Sequence, residues 1–126
     1  MKSSRLIVAV WIGVASSCGG SGESVVAPPP APDCTANALA GIAVTTVDSA
    51  TGSTLTATGT VVFQDAPYFE KAIALPPTYF GAFERAGTYL VLVTLPGYQP
   101  WAASNVVVRA GPCHVVPVQL TARLVR

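Results

Sequence analysis

Gly87-Thr88-Tyr89-Leu90-Val91-Leu92-Val93-Thr94-Leu95-Pro96-Gly97-Tyr98 is the stretch that decides the fold. Thr88 to Leu95 is a short run of aliphatic and β-branched residues, with Glu84-Arg85-Ala86-Gly87 before it and Pro96-Gly97 after it. An apolar run of that length between turn formers reads as a buried strand and is too short for a core helix.

Working outward, the same pattern recurs. On the N-terminal side, Gly41 to Val47 alternates, and Asp48-Ser49-Ala50-Thr51-Gly52 follows as a turn in which Asp and Gly supply local hydrogen bonding and positive φ. Gly59 to Gln64 is a second strand, Tyr68 to Leu75 a weaker third one, and Tyr79 to Phe83 a fourth after the break at Pro76-Pro77. On the C-terminal side, Asn105 to Arg109 is a strand closed by Ala110-Gly111-Pro112. Cys113 to Val125 is the last strand; it sets Val116, Val118, Leu120, Ala122 and Leu124 on one face and Gln119, Thr121 and Arg123 on the other. About seven short strands with no amphipathic helix predict an all-β, two-sheet sandwich.

Two motifs carry a family resemblance. Val47-Asp48-Ser49-Ala50-Thr51-Gly52 matches a DxxTG turn, and Gly87-Thr88-Tyr89 with Pro96-Gly97-Tyr98 meets a GxY…PGY pattern. With the valine run and closing strand that follow, the chain resembles the carboxypeptidase regulatory-like domain over roughly Cys34 to Val125. That resemblance implies a transthyretin-like (prealbumin-like) seven-stranded sandwich. It also implies a non-catalytic accessory or interaction module, without specifying a ligand. Residues 64–84 follow no part of the pattern. One enzyme, the transthyretin-related hydroxyisourate hydrolase, shares this topology. Its several histidines and arginines and its closing Tyr-Arg-Gly-Ser tail have no counterpart here, where the chain ends Ala122-Arg123-Leu124-Val125-Arg126.

The N-terminal quarter reads differently. Lys2 and Arg5 precede the apolar run Leu6 to Ala15, which is too short to span a hydrocarbon core needing roughly 20 residues. A charged start, a short apolar centre and small residues after it are the layout of a secretory signal. Ala15-Ser16-Ser17-Cys18 resembles a bacterial lipobox, although Ala15 stands where Leu is usual. The expectation is a signal peptide at 1–17, a lipidated Cys18 as mature N-terminus, and a disordered Gly/Ser/Pro-rich linker at 18–33. A domain at 34–126 follows. The anchor implies a membrane partner and a place in the bacterial cell envelope. Gly19 is not an Asp that would resemble an inner-membrane retention signal, so the outer membrane is favoured where one exists.

Composition narrows the function. Residues 18–126 hold five basic and six acidic side chains, a net charge of −1. No basic stripe exists to neutralise phosphates, so nucleic acid is an unsuitable partner. No polybasic run for anionic lipids exists either. Cys34 and Cys113 bracket the domain, and in an oxidising envelope they are expected to form a disulfide. His114 is the sole histidine, which disfavours a zinc site, and no cofactor is implied. A Cys113–His114 nucleophile pair is disfavoured because adjacent strand residues point to opposite faces. A serine nucleophile is disfavoured because there is no G-x-S-x-G and only that one histidine. The expectation is therefore a non-enzymatic, membrane-tethered module with a structural or interaction role. The alternative is a carbohydrate- or peptide-binding module, with an envelope protein or glycan as partner. It would use the loop aromatics Tyr98 and Trp101, with Tyr79 in a second loop.

Overall fold

Alternation of large apolar and polar side chains produces strands between Ile42 and Leu124, and the computed structural model describes residues 27–126. Nine strands follow one another: β1 (Ile42–Asp48), β2 (Thr60–Asp65), β3 (Tyr68–Lys71), β4 (Ile73–Leu75), β5 (Thr78–Gly81), β6 (Gly87–Thr94), β7 (Trp101–Ala110), β8 (Val115–Val116) and β9 (Val118–Leu124). They form a four-stranded sheet in the order β4-β5-β1-β9 and a five-stranded sheet in the order β3-β2-β6-β7-β8. The fold is an all-β, sandwich-like pair of sheets, and no helix forms among the described residues. Pairing is antiparallel except for β1 and β9, which run parallel from Ile42↔Val118 to Asp48↔Leu124.

The expected run Thr88 to Leu95 is β6 and part of the turn after it. Tyr89, Val91 and Val93 are buried, while Leu90 and Leu92 lie half-buried on the other face. The core between the sheets also holds Ile42, Val44, Phe63, Val108 and Leu124. At about 25 cal/mol per Å² of apolar surface removed from water, such side chains each stabilise the fold by roughly 1.5–3 kcal/mol. Glycine leaves room for an ion pair where β6 begins. A Cβ on Gly87 would lie 2.4 Å from Oδ2 of Asp65 and 3.2 Å from a guanidinium nitrogen of Arg85.

Two expected strands divide. Tyr68 to Leu75 is two strands in different sheets: β3 pairs with β2 in one and β4 with β5 in the other. The chain crosses at Ala72, whose N–H donates to the Val61 carbonyl at 2.8 Å. The closing run divides at Pro117, which donates no ladder hydrogen bond. β9 keeps the expected phase, with Ala122 and Leu124 buried and Gln119, Thr121 and Arg123 exposed. Val116 does not: it belongs to β8 in the other sheet and is 52% exposed, while Val115 is the buried neighbour. Along β7, Ser104 and Asn105 face Leu90 where pairing slips between Tyr89↔Val106 and Val91↔Ala103. Asn105 takes a φ of 56° there, and Asn is among the few non-glycine residues that adopt it readily.

Candidate functional site

The turns and strand termini gather the polar chemistry at the two ends of the sandwich. One end, where β1 and β6 begin and β7 finishes, is closed by a disulfide between Cys34 and Cys113 with Cα atoms 5.2 Å apart. Beside it, the Glu84 carboxylate lies at the centre of a cluster. Oε1 accepts from the Leu39 N–H at 2.6 Å and contacts His114 Nδ1 at 2.7 Å, and Oε2 accepts from the Val115 N–H at 3.3 Å. The other imidazole nitrogen, Nε2, is 3.0 Å from the Thr35 hydroxyl. Glu84 has a φ of 50°, which turns the chain sharply after β5 and aims the side chain back at this cluster. The Leu39 N–H bond, more than the imidazole, holds the Glu84 carboxyl below its ordinary range.

Hydroxyl, imidazole and carboxylate stand here in the order of a proton relay. The carboxylate's other bonds show what the cluster holds in place: it ties residues 35–39 to the start of β8. Sequence reasoning missed Thr35 and Glu84, which lie 79 and 30 residues from His114, and no local pattern joins them. His114 itself sits in the bend before β8, where a strand position was expected, and the Cys113 sulfur is in the disulfide. A depression of about 150 Å³ beside Ala86 and Gly111 adjoins the cluster.

A second group lies on the same side of the fold. Arg85 donates to Asp65 Oδ2 at 2.8 Å and to the Tyr89 hydroxyl at 2.9 Å, and its guanidinium stacks 3.9 Å from the centre of the Tyr68 ring. The buried Tyr89 hydroxyl donates to the Arg85 carbonyl at 2.9 Å, pinning the turn that precedes its own strand. Burial, reinforced by the bond from Tyr68 to Glu70 at 2.8 Å, pushes the Tyr68 hydroxyl up to about 12.

At the opposite end, the DxxTG turn meets the PGY half of the second motif. The Tyr98 hydroxyl donates to Asp48 Oδ2 at 2.9 Å across 50 residues of sequence. Asp48 Oδ1 accepts from the N–H groups of Ala50 and Thr51 at 2.8 and 3.1 Å, which builds the turn. Arg126 donates to the Tyr98 hydroxyl at 3.2 Å and lies 3.4 Å from Asp48. The Tyr98 bond is the chief reason that the Asp48 carboxyl is held below its ordinary range.

The expected binding aromatics are placed as follows. Tyr98 is half-buried and packs against the core while bonded to Asp48. Trp101 is the first residue of β7, paired with Val93, and also packs partly against the core. Tyr79 is a correction. It lies in β5, with no exposed surface, and its hydroxyl accepts from the Gly59 N–H at 2.9 Å. Its inward position on an alternating strand removes it from any binding surface. Cys18 and the expected 1–17 signal lie outside the described residues, as does the expected linker up to Val26. Residues 27–33 of the linker carry no helix or strand. No protein-family model matches the chain, and no curated protein matches it.

Proposed function

We propose that this chain is a lipid-anchored protein of the bacterial cell envelope, whose sandwich is a carboxypeptidase regulatory-like interaction module and not an enzyme. The Cys34–Cys113 disulfide carries the reading. Disulfides persist in oxidising compartments outside the cytoplasm, where a signal at 1–17 and lipidation at Cys18 would deliver the domain. Two or three acyl chains, at about 0.8 kcal/mol per buried CH₂, suffice for a stable anchor. The bond from Tyr98 to Asp48 supports the module assignment, because it gives the PGY and DxxTG motifs one shared structural purpose. The polar clusters at both ends support a scaffold role, since every buried side-chain nitrogen or oxygen among the described residues has a partner within the protein.

The test is the non-reducing intact mass of the protein made with its own N-terminus in a bacterial host and purified from membranes. A chain starting at Cys18, carrying acyl chains and lacking two hydrogens, is expected. An unacylated mass from the soluble fraction would sink the anchor, and free thiols would remove its compartmental support.

A further inference from the structure

The outer face of the five-stranded sheet has a composition that the core does not require. The strand registers place Lys71, Val62, Leu92 and Ala102 in one row across it, and Phe69, Gln64 and Leu90 in the next. Val107 pairs beside Thr88, and Arg109 beside Val116. All alternate with buried or half-buried residues of the same strands and so point away from the core. Phe69, Val107 and Val116 are 61%, 48% and 52% exposed. The only charges on this face are Lys71 and Arg109, both exposed, and neither joins an ion pair among the described residues. The domain's carboxylates are engaged elsewhere: Asp48 by Tyr98, Asp65 by Arg85, Glu70 by the Ala82 N–H and Glu84 by His114.

Large exposed apolar side chains with cations and no carboxylate suit a surface that is apolar beneath and negative on top. A second copy stacked on this face would oppose like charges. The linker settles which surface is within reach. It ends at Cys34, which is bonded to Cys113 in the turn between β7 and β8. β8 is the edge strand of this same sheet, and its Val116 pairs with Arg109. The tether therefore meets the domain at the rim of the face.

We infer that this face rests on the anionic headgroup surface of the membrane that holds the anchor. Phe69, Val107 and Val116 enter the headgroup layer, and Lys71 and Arg109 meet phosphates. The inference takes its tether from the lipoprotein reading above. The sequence has no polybasic run, and two cations alone would hold a free protein weakly. A tether of 15 residues (19–33), reaching at most roughly 45 Å as polyproline II, turns that weak contact into an intramolecular one.

The experiment places Val107→Trp, or separately Thr121→Trp on the opposite sheet, in the acylated chain with Trp101 kept as common background. Each is reconstituted in vesicles of brominated phosphatidylglycerol and phosphatidylcholine, and in brominated phosphatidylcholine alone. Added fluorescence from position 107 is expected to be quenched in the anionic vesicles, and that from 121 is not. Lys71→Glu with Arg109→Glu is expected to weaken the contact roughly tenfold or more. Equal quenching at both positions, no dependence on phosphatidylglycerol, or no effect of charge reversal overturns the inference. With acyl chains present by mass, any of these results leaves the lipoprotein reading standing. If the mass shows none, the lipoprotein reading fails and this inference fails with it, because two cations alone hold an untethered domain too weakly.

Discussion

The two ends of the sandwich are held by different means. At the disulfide end, a covalent bond across 79 residues and the Glu84 cluster fasten the arriving linker to β8. At the opposite end, a single carboxylate, Asp48, joins the turn after β1 to Tyr98 through a hydrogen bond and to Arg126 through an exposed ion pair, with no covalent link. The difference matches position. The first end is where the rest of the chain attaches and where fraying would spread into β8 and β9. The second closes a loop that the core already anchors through Leu95 and Leu124.

The largest expected effect tests the covalent end. Cys34→Ala with Cys113→Ala frees a loop whose closure stabilises the fold by about 4 kcal/mol in the chain-entropy model. Urea unfolding is expected to show a loss of roughly 3–4 kcal/mol. A loss below about 1 kcal/mol would mean that the Glu84 cluster alone fastens the linker, and that the two ends are alike in kind.

Next, Gly87→Ala drives a methyl group into the Asp65–Arg85 pair. Overpacking of this sort typically costs about 1–3 kcal/mol, read from the same unfolding curves. An unchanged midpoint would show that the pair gives way freely, and that the turn before β6 is not a rigid part of the disulfide end.

Acid sharpens the comparison. The folded values of both Asp48 and Glu84 are lowered, the first chiefly by the Tyr98 hydroxyl and the second chiefly by the Leu39 N–H. The unfolded chain therefore takes up these protons first. The stability that both groups supply is complete above the unfolded values near pH 4, declines as the pH falls below them, and is gone below the folded values. Asp48→Asn and Glu84→Gln are each expected to flatten part of that decline when urea midpoints are followed downward from neutral pH. If only one does, the other end is not stabilised by ionisation.

Smaller effects follow at the opposite end. Tyr98→Phe removes the bond to Asp48 and is expected to destabilise less than the glycine change. Arg126→Ala is expected to change thermal unfolding hardly at all, because its side chain is 76% exposed and solvent screens such pairs. A larger loss for Arg126 than for Tyr98 would make the closing contact ionic, against the geometry.

Legibility varied with how local each decision was. β1, β2 and β6 lay within a residue or two of their expected spans, because alternation and flanking Gly, Asp and Pro act over a few residues. The region from 64 to 84 was opaque for a physical reason. Tyr68 to Leu75 holds no Gly or Pro to mark a break at Ala72, yet its halves pair with β2 and β5 in opposite sheets. Which sheet edge each half joins depends on partners already in place. Tyr79 was misplaced on the same account: its ring reads as a loop aromatic until β5 is seen paired to β1. Thr35, Glu84 and His114 gave no shared signal, being brought together only where β5 and β7 end and β8 begins.

By itself, then, the sequence determined that the chain makes strands, where its strongest strands begin and stop, and that Cys34 and Cys113 bracket them. These follow from backbone preferences and side-chain alternation, which are settled within a few residues. The tertiary structure alone decided how the strands are shared between two sheets, which polar groups meet at each end, and that Lys71 and Arg109 share the outer face of the five-stranded sheet. Those depend on contacts between distant parts of the chain, whose free energy is gained only when both sides are already folded.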